Sequence, residues 1–101
     1  MPLSKAAALR LLRDTASDDT NVNILAALHE GPWRHLLDYR QVMMCLRDGS
    51  LIKHPRVDEL GNTVFILERY SAGVTVRITA ILVGTSASKR SIVVTEFSVE
   101  D

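Results

Sequence analysis

The chain has 101 residues, a length that a single domain accounts for. Hydrophobic residues make up 47% and aromatic residues 5%, which supports a packed core and sets aside a disordered tail. Twelve basic side chains balance twelve acidic ones, and the pI is near 6.8, so a uniformly basic nucleic-acid binder is not indicated.

No apolar run reaches the roughly 18 residues of a membrane helix, so no membrane partner is expected. Arg10 interrupts the apolar stretch from Ala6 to Leu12, no small-residue cleavage site follows, and a cytoplasmic location is expected. Cys45 is the one cysteine. It has no partner for an internal disulfide and no metal-ligand spacing around it, so neither a metal nor another cofactor is expected.

Ser4 is a suitable N-cap for a first helix ending near Ala16, with Ala8, Leu11, Leu12 and Thr15 at helical spacing. Ser17 to Asn21 is polar and ends it. Val22 to Leu25 reads as a short edge strand or the start of another helix. Gly31-Pro32 is a hard break, and proline fits the first turn of a helix. The pattern from Pro32 to Asp48 therefore predicts one helix, or two broken near Asp38, with Gly49 as the C-terminal stop.

Beyond Gly49 the period changes from about 3.6 to about 2. Leu51 to His54 begins a strand that Pro55 limits, and Asp58 to Asn62 is a turn. Thr63 to Tyr70, Val74 to Leu82 and Ser91 to Val99 read as strands, with a polar loop from Gly84 to Arg90. The expected fold is α+β: two to three N-terminal helices packed on a four-stranded antiparallel β-meander. A reversal at Ser71–Gly73 pairs Arg69 with Thr75 and Leu67 with Arg77, which puts Arg69 and Arg77 on one sheet face. Thr95 joins that face only in some registers of the last hairpin.

Charge is uneven along the chain. Residues 34–56 hold Arg34, Arg40, Arg47, Lys53 and Arg56 against Asp38 and Asp48. Arginine forks suit phosphate and carboxylate. Arg40 and Arg47 are therefore candidate phosphate-binding groups, with Arg77 on the sheet. His35 has the proton-transfer range of a general acid or base, and His29 is its neighbour in sequence. Arg69 is either a functional cation or a cross-strand partner for an acid such as Glu96. Trp33 is either a packing anchor or a stacking surface.

Several segments carry a resemblance in their order along the chain. They are Val42 to Gly49 (VMMCLRDG), then Pro55, Asp58, Gly61 and Asn62, then Leu67-Glu68-Arg69 and Ala72-Gly73, and last Ile92 to Phe97 (IVVTEF). Together they resemble short bacterial proteins of unknown function related to RelE-like and motility-quorum-sensing-regulator-like toxins, within the barnase–EndoU–colicin–RelE group of ribonuclease folds. The resemblance implies a metal-independent mRNA endoribonuclease of a toxin–antitoxin type system, with RNA as substrate and a small antitoxin protein as partner. It implies Arg69 and Thr95 as sheet site residues, with His35 or His29 moving the proton. The family's helical His-Ala pair and its two following arginines fall on Ala27, Gly31 and His35. The alternative reading is thus a non-catalytic relative that keeps the fold and serves as a protein-interaction module. Pairing of an exposed edge strand with a second copy is a further expected mode of association.

Overall fold

The computed structural model describes residues 4–84 and 89–100. Helix α1 spans Lys5–Ala16 and helix α2 spans Tyr39–Asp48. The strands are β1 (Val22–Ile24), β2 (Ser50–Leu51), β3 (Arg56–Val57), β4 (Thr63–Ser71), β5 (Val74–Val83) and β6 (Ser91–Glu100). They form one mixed sheet of six strands in the order β1-β6-β5-β4-β2, with β3 also paired to β4. The α+β class and the antiparallel run β4-β5-β6 agree with the sequence. The sheet is wider than the expected four-stranded meander, because β1 pairs parallel with β6 and two-residue β2 and β3 share the far edge of β4. Residues 85–88 of the expected polar loop lie outside the described residues.

Both helices lie on one face of the sheet. Ser4 Oγ accepts from the amide of Ala7, which caps α1, and the helix buries Ala8, Leu12, Thr15 and Ala16. Asp38 caps α2 in the same way through the Arg40 amide, and α2 buries Val42, Met43, Cys45 and Leu46. Facing them are Phe65 and Leu67 of β4, Val76, Ile78, Ala80 and Leu82 of β5, and Ile92, Val94 and Phe97 of β6. No described helix is long and apolar enough to cross a membrane.

The helix expected from Pro32 does not form. Asp38 is extended (φ −131°, ψ 124°), as an N-cap must be, and this separates residues 32–37 from α2. That stretch is a chain of turns closed by Arg34 N–H to Gly31 O (3.2 Å) and Leu36 N–H to Trp33 O (2.9 Å). Its half-buried Trp33 and Leu37 rest against the core. Ahead of it, Ala26–Glu30 is a short 3-10 helix.

Two arginines tie the helices together at their C-terminal ends. Arg13 of α1 donates Nη2 to the carbonyl of Gly49, just past the end of α2. Arg47 of α2 donates Nε and Nη2 to the carbonyl of Ala16 at the end of α1 (3.2 and 3.0 Å). Each cation meets the negative end of the other helix dipole. Gly49 accepts no other residue there, because a Cβ would collide with the carbonyl oxygen of Cys45.

The β4–β5 turn differs from its expected form by one residue. Ser71 pairs with Val74, so the loop is Ala72-Gly73 alone, with φ of 53° and 86°. Positive φ at both positions is the signature of a type I′ hairpin, whose twist matches that of the strands. Arg69 therefore pairs with Val76, and Arg77 with Glu68. Arg69 and Arg77 lie on opposite faces, not on one.

Replacing Arg47 with Ala is expected to lower stability by about 1–2 kcal/mol, since it removes charge-assisted bonds to a helix end. Arg40→Ala, whose side chain makes no bond among the described residues, should stay within about 0.5 kcal/mol. Urea unfolding of the two variants checks the contrast. Ala72→Asn should stabilise by about 0.5–1 kcal/mol by relieving a left-handed alanine, read as a higher thermal midpoint.

Candidate functional site

The sheet face turned away from the helices carries a groove. Its floor follows from strand pairing. Ile66, Thr79 and Glu96 lie side by side across β4, β5 and β6, and Glu68, Arg77 and Ser98 form the adjacent row. The amide of Ile52 donates to the carbonyl of Ile66 (3.1 Å), which extends the first row past β2. Ile52 and Lys53 form one wall, and Leu28, Gly31, Pro32 and Trp33 form the other. The 3-10 helix before Gly31 contacts β6, and the Leu25 amide bonds to the Val94 carbonyl, so the second wall stands on the β6 side. The groove has a volume of about 700 Å³.

A β-bulge sets what β6 shows to this groove. Ala80 pairs with Val94 and Thr79 pairs with Glu96, so Thr95 is the extra residue. The bulge changes the alternation. Ile92 and Val94 point to the helices before it, and Phe97 does so after it. Without the extra residue, Glu96 would share the core face with Val94.

The polar groups of the floor are mostly paired with each other. Arg77 Nη2 lies 2.8 Å from Glu68 Oε2. This carboxylate raises the already high pKa of the guanidinium. Buried Thr79 donates Oγ1 to Glu96 Oε1 at 2.8 Å. Lys53 is exposed and makes no hydrogen bond or ion pair among the described residues.

The sequence-predicted site residues do not converge. Thr95 and Arg77 line the groove. Arg69 is on the opposite face, half-buried, with Nη1 buried and lacking a hydrogen-bond partner. It lies near Cys45 and cannot pair with Glu96, which faces the other way. His35 is exposed on the 32–36 turns and His29 on the 3-10 helix. Arg40 is exposed at the start of α2, and Arg47 is engaged with α1. Among the described residues, no three His, Cys, Asp or Glu side chains are grouped to hold a metal ion. Groove residues that sequence reasoning did not select as site residues include Ile52, Lys53, Thr79 and Ser98.

No family model, curated protein or solved structure matches this chain. What the site can do is therefore read from its own groups. An apolar trough with a few fixed polar side chains binds and orients a ligand. Among the described residues that line it there is no histidine.

Cys45 is buried on the sheet-facing side of α2, its Sγ donating to the Val76 carbonyl oxygen at 3.8 Å. Burial pushes its thiol up to about 12 from an ordinary 9.0, with Arg69 opposing weakly. The folded protein should resist thiol alkylation at pH 8 and react fully once unfolded in denaturant, as followed by mass spectrometry. Because the folded pKa is raised, this group's stabilising contribution is complete below about pH 9 and is lost as pH rises toward 12.

Proposed function

We propose that the protein is a non-catalytic binding module of the toxin-like ribonuclease-fold type, working through the outer groove of its sheet. The observation that carries this reading is the dispersal of the expected catalytic groups. His35 sits on an exposed turn, Arg69 on the helix-side face, and Thr95 in the groove on the other face. General acid–base cleavage needs such groups within hydrogen-bond reach of one phosphate. Groups on opposite faces of a sheet do not meet that condition. The groove supports binding instead, because its largely apolar walls and its few fixed polar groups form a shaped surface.

The partner in this reading is a protein, of the antitoxin type if the resemblance extends to genetic context. A second reading keeps a metal-independent endoribonuclease. It is favoured by Lys53, Arg77, Thr95 and Trp33 lining the same groove, with cations for phosphate and an indole for stacking.

The two readings separate on RNA. Purified protein incubated with messenger RNA is expected to leave it intact, and expression in a bacterial host is expected not to slow growth. A His35→Ala, Arg69→Ala double variant should be indistinguishable from the parent in both assays. Cleavage by the parent that disappears in the folded double variant would overturn the binding-module reading in favour of the nuclease.

A further inference from the structure

We infer that the outer groove takes an extended peptide segment of four to five residues, basic at one end, acidic at the other and apolar between. The inference rests on the groove being the binding surface proposed above, and it adds the chemistry of the ligand.

The length comes from the sheet. Ile66, Thr79 and Glu96 stand on three successive strands, and Ile52, the residue after β2, continues the row by its bond to Ile66. Three strand spacings of about 4.8 Å give about 14 Å. An extended chain advances about 3.3–3.6 Å per residue, so four to five residues cross the trough.

The end groups come from charge. Arg77 and Glu68 neutralise each other in the middle. Of the ionic groups that line the groove, the two that make no ion pair among the described residues stand at the ends. Lys53 lies on the β2 side, and Glu96, bonded only to the neutral Thr79 hydroxyl, lies on the β6 side. The wall carrying half-buried Trp33 stands at the Glu96 end. A carboxylate on the floor at the end where the indole lines the wall suits a cation, since a Lys or Arg side chain there has an ion-pair partner and a ring within the same groove. A carboxylate is what Lys53 lacks. Between them Ile52, Ile66, Leu28 and Pro32 offer apolar contact to the central side chains. A nucleic acid suits this charge order poorly, because its phosphates would run onto Glu96.

Trp33 is the chain's single tryptophan, so its emission reports the groove directly. The probe is acetyl-Lys-Leu-Val-Leu-Asp-amide, titrated at low ionic strength. A saturable shift in Trp33 emission is expected, weakening as salt is added. Lys53→Glu should weaken binding about two- to fivefold, the range of an exposed ion pair. A probe with Lys at both ends should bind this variant better than it binds the parent. Glu96→Lys should show the mirror pattern with a probe carrying Asp at both ends. Absence of a shift with the parent, or affinities indifferent to these charge swaps in folded variants, overturns the inference. A shift with a ten-nucleotide RNA but none with the peptide also overturns it, while leaving the groove as a binding surface. RNA cleavage by the parent would instead remove the reading on which it rests.

Discussion

Because Ser71 pairs with Val74, only Ala72 and Gly73 remain to reverse the chain, and every side chain of β4 and β5 takes its face from that pairing. Arg69 is sent beneath α2 and Arg77 to the outer groove. Glu68 lands beside Arg77, where it makes the sheet's cross-strand ion pair. A one-residue slip of β4 against β5 would turn Glu68 toward the helices and expose Phe65 and Leu67. The turn, the core and the composition of the groove are thus one constraint seen from three places.

Much of the scaffold was legible because its signals are local. Ser4 and Asp38 cap the helices they precede, and Gly49 ends α2 by close approach to Cys45. Alternation located β4, β5 and β6 within a residue or so at each end. The register was not legible, because Ser71-Ala72-Gly73 reads equally as a two- or three-residue reversal, and alanine at a left-handed position gives no warning. The bulge left a trace in the sequence. Ile92 and Val94 are two apart, Phe97 comes three later and Val99 two after that, so the apolar rhythm skips a beat at Thr95. The parallel pairing of β1 left none, because three residues carry too little pattern. At Pro32 the signal for a helix start lost to the requirement that Asp38 be extended.

The basic block at 34–56 also takes its meaning from tertiary placement. Arg34 bonds its own turn at the Gly31 carbonyl, and Arg47 holds the end of α1. Arg13, from outside the block, holds the end of α2. Guanidinium groups spent on carbonyl oxygens are part of the scaffold. Lys53 remains at the groove, where the charge of the block meets the outer face of the sheet. A count of charges along the chain could not separate these roles, because the carbonyl partners are distant in sequence.

The parallel strand β1 has a consequence for the order of assembly. Val22 is registered against Ile92, so this pairing closes a long loop that leaves only α1 and its turn before it and the end of β6 after it. Loop-closure entropy makes such a contact late, after the local hairpins β4–β5 and β5–β6 have formed. The segment that follows β1 supplies the Leu28–Trp33 wall of the groove. The groove is therefore expected to be completed after the hairpins, and a chain that has formed its meander but not docked β1 has the floor of the trough without its aromatic side.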